Sequence, residues 1–345
     1  MPQLSVEGPY EFTDLRILDS QMSEIASGTR RLVVDVSPGI YRAEARVPGA
    51  IDERLVSVPE GRDVHVTDFK LSLDSPAPVP EARTYHQDHG RWAVSTSHAI
   101  HVRVPGQSPG RLFLTVRTDG SPRNSPPGIL VMTRDREVLA SLNQDGLTEH
   151  DAGFCAITLE LPAGTYVLAQ EESGLGLRGQ AVFVEHGWQT QIFAPWDARD
   201  VGLSRALVSM VPEDQGFRSS ASRYEYVEAA LDGLASGRVV LTPDEENELL
   251  NAKFENPMLG MIGAYAYILR GQIDYGRLAI ISRNLLRLLP NSPDARLLAI
   301  LSSSPRHDPP LDPWLSDLMQ REFDAPPMFA LGTDRLIERA AEDIT

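Results

Sequence analysis

Between Lys253 and Leu301 the apolar residues fall at a helical period, and nowhere earlier in the chain do they do so over a comparable length. In KFENPMLGMIGAYAYILR, the residues Met258, Met261, Ile262, Tyr265, Ile268 and Leu269 recur every three or four positions and make one side of a helix apolar. Gly260, Gly263, Ala264 and Ala266 keep that helix slim enough for a neighbour to come close. The neighbour is the periodic run Leu278, Ile281, Leu285, Leu286, Leu288 and Leu289, and Gly271 with Asp274 supplies the joint. The pair reads as an antiparallel helical hairpin. Asn256-Pro257 opens its first helix, because proline costs least where the amide has no partner. Pro290 to Asp294 closes the second, and Ala295 to Leu301 begins a third. The apolar block Met258–Leu269 falls short of the roughly 20 residues a bilayer demands, so no membrane span is expected.

Before about residue 200 the pattern is one of short strands. Leu32–Val36 and Ile40–Val47 flank the turn Ser37-Pro38-Gly39 and predict a hairpin; Arg54–Val58 follows, then a turn at Pro59-Glu60-Gly61 and a strand over Val64 and Val66. Ser75-Pro-Ala-Pro-Val-Pro80 reads as an extended linker, since its prolines do not sit inside a sheet. A second set of strands is predicted at Trp92–Ser95, Ala99–Val104, Leu112–Val116, Ile129–Met132 and Val138–Leu142, separated by turn signals. Asp200–Met210 fits a strand or a short helix. Helices resume at Ser222, whose spacing to Glu225 is that of a capping box, and at Thr242-Pro-Asp-Glu-Glu, a strong helix start. The expected fold is multidomain: an all-β antiparallel sandwich region followed by an α-helical domain. The expected units are a β-sandwich over 1–80, a second over 86–198 and a helical domain over 220–345.

An internal repeat runs through the strands. VDVSPGIYRAEA, from Val34, matches TLELPAGTYVLAQ, from Thr158, when Gly39 is laid on Gly164 and Tyr41 on Tyr166; LVSVPEGRDVHV then lies over AVFVEHGWQTQI, with Gly61 on Gly187. The Pro-Gly-x-Tyr turn at Pro38, Gly39 and Tyr41, followed by a later glycine turn, resembles the transthyretin-like or carboxypeptidase-regulatory sandwiches. The second unit departs from that pattern by placing Ala163 between Pro162 and Gly164. The resemblance implies scaffolding or binding modules. KFENPMLGMIGAYAYIL, with PPMFALGTDRLIERA near the end, is similar to the carboxyl-terminal region of bacterial proteins that accompany caspase-like peptidases in conflict systems. That resemblance implies an accessory role with a caspase-like peptidase as the protein partner.

Acidic residues number 48 against 32 basic ones, a formal charge of −16, which argues against nucleic acid or an anionic membrane as the main partner. Cys155 is the one cysteine, so neither an intramolecular disulfide nor a cysteine-based zinc site is available, and its apolar setting in GFCAITLEL predicts a buried structural thiol. The opening MPQLSVEGPYEF shows no basic start followed by an apolar run, so a cytoplasmic location is expected.

Chemistry-bearing patterns are sparse. His86, His89, His98 and His101 fall close together and, with Asp88, are candidate metal ligands; alternation along a strand would turn His98 and His101 to opposite faces. Gly174-Leu-Gly176-Leu-Arg-Gly179 fits the dinucleotide fingerprint in letters, but QAVFVEH after it reads as a strand where that site needs a helix. The adjacent pair Glu171-Glu172 points apart in a strand. No phosphate loop, zinc-peptidase helix or serine-hydrolase elbow is present in the sequence, and no cofactor is expected. Trp188, Trp314 and Tyr265 are the candidate partner-binding anchors. These readings favour a non-enzymatic adaptor or scaffold that binds a protein partner. The alternative is a hydrolase with its site in the β-domain loops, using a histidine-bound metal.

Overall fold

The computed structural model describes residues 1–73, 75–79, 87–118, 128–172, 176–196, 201–218, 224–235, 237–271, 273–303, 331 and 335. The first seven strands are β1 (Gln3–Glu7), β2 (Asp14–Leu18), β3 (Glu24–Thr29), β4 (Arg31–Asp35), β5 (Gly39–Val47), β6 (Ala50–Val58) and β7 (Val64–Val66). They form two sheets, ordered β4-β1-β7 and β3-β2-β5-β6. Alternation decides which side chains meet between them. Tyr41, Ala43, Ala45 and Val47 of β5 are buried, and Tyr41, Ala43 and Ala45 pack with Leu4, Val6, Leu15 and Ile17, while the intervening Arg42 pairs with Glu44 and Glu53 on the outer face.

Helix α1 (Gln87–His98) leads into β8 (Val102–Arg103), β9 (Pro109–Arg117), β10 (Ile129–Met132), β11 (Val138–Ser141), the short α2 (Leu142–Asp145), β12 (Leu147–Glu149), β13 (Phe154–Pro162), β14 (Gly164–Glu172), β15 (Gly176–Val184), β16 (Trp188–Pro195) and β17 (Leu207–Pro212). One sheet is ordered β11-β10-β14-β15; the other is β12-β13-β9-β16-β17, with β8 beside β13. Laying β1 to β7 on β9, β10, β11, β13, β14, β15 and β16 reproduces every pairing of the first sandwich with its direction, including the parallel pairs β1/β7 and β9/β16. A register irregularity falls in β2/β3 and again in β10/β11. The Tyr41 hydroxyl donates to the Ser37 carbonyl at 2.6 Å, and the Tyr166 hydroxyl donates to that of Pro162 at 2.7 Å, each four residues back. Gly61 and Gly187, with φ of +65° and +76°, make the matching left-handed turns before β7 and β16.

Three expectations are corrected. Leu32–Val36 and Ile40–Val47 do not form a hairpin: β4 and β5 belong to different sheets, and the Pro-Gly turn carries the chain across the sandwich. A turn within one sheet and an arch between two bury the same alternate residues, so periodicity does not separate them. Trp92–Ser95 is helical, within α1, whose Ala93 and Thr96 face the protein. Ser75–Val79 is not an open linker. Ser75, Ala77 and Val79 are buried, and the buried Arg117 guanidinium donates to the carbonyls of Ser75, Pro76 and Ala77, supplying the partners that a proline-rich segment does not find in a ladder.

The remaining helices are α3 (Tyr224–Ala235), α4 (Pro243–Asn251), α5 (Pro257–Leu269), α6 (Tyr275–Leu288) and α7 (Pro293–Ser302). The starts of α4 and α5 follow the sequence signals at Thr242-Pro243 and Asn256-Pro257, while Ser222 of the expected capping box lies outside the described residues. Thr242 and Glu245 close a capping box, Asn256 and Asp274 cap α5 and α6, and Ser292 accepts from Ala295 N. The expected hairpin is α5/α6, but α5 is buried on every side from Pro257 to Ile268, between α3, α4, α6 and β17. Gly260 permits this: a Cβ there would lie 2.5 Å from Lys253 Cβ and 3.1 Å from Leu285 Cδ2.

Helices and second sandwich share one core, in which Phe113, Phe154 and Phe193 of the sheet join Tyr265, Leu278 and Leu298 of the helices. The first sandwich meets the helices through Phe12, Val47 and Leu73 against Ala229 and Val240, and through an Arg238–Asp14 ion pair. Burial pushes the Asp14 carboxyl above its ordinary value despite Arg238 beside it. Among the described residues no helix is long and apolar enough to cross a membrane.

Candidate functional site: a cleft between sandwich and helices

Where β13 crosses to β14, the chain leaves Ala163, Gly164 and Thr165 beside the turn that joins α6 to α7. A cleft of about 460 Å³ opens there, closed on a third side by Thr133, Arg134 and Asp135 of the β10–β11 turn. Asn291 and Arg296 form the helical wall, and Tyr166 also lines the cleft. Each wall is held by local bonds. Thr133 exchanges backbone bonds with Glu137 and Arg136, and its Oγ1 accepts from Glu137 N at 3.2 Å. Arg296 Nε donates to the Pro290 carbonyl at 3.2 Å.

The helical wall is tied to the sandwich by Glu185, the residue after β15. Its carboxylate, 2% exposed, accepts from Asn291 N at 2.9 Å, Asn291 Nδ2 at 3.1 Å and His186 N at 3.1 Å. A buried carboxylate with several donors is a strong, directional tie. A Cβ placed on Gly164 would meet no atom within 4 Å, so there is open space beside it. The cleft is thus lined by two arginines, one aspartate, two threonines, an asparagine and a tyrosine, beside Ala163 and Gly164.

The expected site residues lie elsewhere. His89 is 1% exposed, stacks on Phe154 at 5.5 Å and bonds through Nε2 to the Ala152 carbonyl at 2.9 Å; since a carbonyl only accepts, Nε2 carries the proton. His98 is exposed at the end of α1, and the exposed His101 accepts from Thr158 N through Nδ1 at 3.2 Å. Among the described residues no three His, Cys, Asp or Glu side chains come together as a metal site requires. His86 and Trp314 lie outside the described residues, as do Gly174 and Leu175 of the glycine-rich run, while Gly176–Gly179 is part of strand β15.

Trp188 is half-buried against the helical core, and Tyr265 has no exposed surface at all, so a partner reaches Tyr265 only if the helices open. The Tyr265 hydroxyl and Asp294 Oδ1 are buried without hydrogen-bond partners. Burial raises the Asp294 carboxyl to about 7, against its own backbone N–H; burial and then the Asp294 charge raise the Tyr265 hydroxyl well above its ordinary value. Burial also pushes the Cys155 thiol up to about 11, although Thr148 bonds it, which keeps it an inert core side chain as the sequence predicts.

Sequence reasoning missed the cleft because its three walls come from distant segments. The available signal was indirect: the repeat places Gly164 at a sheet-to-sheet crossing, and arginine in the neighbouring TRDRE turn runs against the acidic bias of the chain.

No family profile and no curated protein matches this chain. Among solved structures, the Bacillus anthracis TIE protein is 9% identical over 55% of this chain and 32% of its own, with a TM-score of 0.19. Bovine butyrophilin is 11% identical over 53% of this chain and 99% of its own, TM-score 0.17, and Escherichia coli alpha-2-macroglobulin is 13% identical over 58% and 12%, TM-score 0.16. This chain therefore spans 32% of the length of the TIE protein. At such scores the likenesses carry no argument about this chain.

Proposed function

We propose that the chain is a bacterial adaptor or scaffold that holds a protein partner at the junction of its second sandwich and its helices. The observation that carries this reading is the cleft itself: three segments far apart in sequence meet there, and a buried Glu185–Asn291 tie fixes one wall against another. Side chains of both charges and several hydroxyl and amide groups suit recognition of a polar segment of another chain.

The duplicated strand order, with a tyrosine bonded back across each crossing, supports the transthyretin-like reading of the two sandwiches. On the sequence resemblance, the partner is a caspase-like peptidase and the compartment is the cytoplasm. Co-expression of the chain with such a peptidase from the same genome, using a photo-crosslinking residue at Thr165, tests the proposal. The expected result is a defined complex with crosslinks from that position; no association, together with hydrolytic turnover by the chain alone, overturns it.

A further inference from the structure

We infer that the outer face of α6 docks an acidic helical segment of the protein partner, with Arg277, Arg283 and Arg287 taking its carboxylates and Ile280 its apolar side. The inference rests on the adaptor reading and names the chemistry of what the adaptor holds. Helix α6 carries three arginines and no aspartate or glutamate, in a chain with 48 acidic residues against 32 basic ones. Leu278, Ile281, Ser282 and Leu285 turn inward; Ile280, Arg283 and Arg287 lie on the opposite side, with Arg277 at its margin. All three arginines are exposed, and Ile280 is 60% exposed among them.

Several arginines elsewhere are neutralised where they stand: Arg16 by Glu24, Arg42 by Glu44 and Glu53, Arg54 by Asp52 and Arg270 by Glu246. Among the described residues no carboxylate pairs with Arg277, Arg283 or Arg287. Arg277 bonds Asn247 Oδ1 and lies 5.0 Å over the Tyr267 ring, contacts that fix its direction and leave its charge in place. The helix itself does not call for all of these cations. Its dipole favours one in the last turn, where Arg287 stands, and disfavours one in the first, where Arg277 stands.

The occupant follows from charge and spacing. Arg283 and Arg287 stand about 6 Å apart along the axis, the repeat of carboxylates four residues apart on a second helix. Each guanidinium matches the planar, two-oxygen geometry of a carboxylate. The apolar Ile280 beside them suits a peptide better than a phosphate backbone, and a net charge of −16 repels a long polyanion. Helix α6 also runs into the turn that carries Asn291, so a partner held in the cleft continues along this face.

The test uses the full chain and two probes: an alanine-based helical peptide with Glu at every fourth position and one Leu on the same stripe, and its Gln counterpart. Amide resonances of Ile280, Arg283 and Arg287 are the readout. The expected result is saturable shifts there, with the Glu probe binding about tenfold more tightly at low salt and the gap narrowing as salt is raised. Arg283→Gln with Arg287→Gln is expected to erase that preference while retaining the wild-type spectrum elsewhere, and Ile280→Ser to weaken both probes alike.

Equal binding of the two probes, a preference that persists in the double variant, or tighter binding of duplex DNA or anionic vesicles than of the Glu probe overturns the inference. A peptidase complex formed by a chain that shows no Glu preference refutes this docking face and leaves the adaptor reading standing. Selective Glu-probe binding on α6 without any peptidase complex does the reverse.

Discussion

Val33 of β4 and Thr158 of β13 stand eight residues before the corner tyrosines Tyr41 and Tyr166, at matching places in the two sandwiches, yet their burial is inverted. The valine is 48% exposed and the threonine is fully buried. What differs is the cover. Thr158 lies under α1, where its Oγ1 donates at 2.7 Å to the Thr96 carbonyl, a last-turn carbonyl that also accepts from Ala99 N at 3.1 Å. Among the described residues no helix packs on the exposed face of β4 that carries Val33. The same contrast runs along whole strands: β5 alternates buried and half-buried residues, whereas β13 and β16 are buried almost continuously because both faces are covered. Burial on a sheet is therefore set by what packs against it as much as by its own side chains.

The largest expected effect follows from that contrast. Phe193→Ala, on the covered face of β16, is expected to lower stability by about 3–5 kcal/mol, while Val33→Ala stays within about 0.5 kcal/mol; chemical unfolding of both variants measures the gap. Similar losses would show that the helices do not share the core of the second sandwich.

A second effect concerns the helical side. The Asp294 carboxyl is raised to about 7 by burial, so the folded chain binds a proton there that the unfolded chain has released. Its contribution is fully present below the unfolded value near 4 and is lost as pH rises towards 7. Asp294→Asn is expected to gain about 2–4 kcal/mol at neutral pH, with the difference from wild type vanishing near pH 4. A gain independent of pH would contradict a buried, protonated carboxyl.

The smallest effect tests the duplication. Tyr41→Phe and Tyr166→Phe each remove one hydroxyl bonded across a sheet crossing, and each is expected to cost about 1 kcal/mol by the same unfolding assay. A large cost at one site and none at the other would mean that the two crossings are alike in topology only.

Much of this architecture was legible in the residues. Thr242-Pro243 and Asn256-Pro257 mark helix starts in the sequence because capping is local and needs no knowledge of the rest of the fold, whereas Asp274 and Ser292, read there as a joint and a helix end, prove to be caps. The glycine and tyrosine repeat located matching corners for the same reason. Longer-range facts stayed hidden. QDHGRWAVSTSH has a weak apolar pattern, and α1 is stabilised by lying on β13 and by Gln189, whose side chain donates to the Ser97 carbonyl at 2.7 Å. The burial of Ser75–Val79 depends on Arg117, some forty residues on, and the cleft depends on Glu185 meeting Asn291.

Hydrogen exchange at the amides of β9, β13 and β16, followed beside those of α5 under rising denaturant, tests most directly whether sandwich and helices form one cooperative body that presents a preformed cleft. The shared core predicts that the four elements open together, with one free energy and one denaturant dependence. Opening of α5 at clearly lower free energy, with the strands still protected, would contradict it.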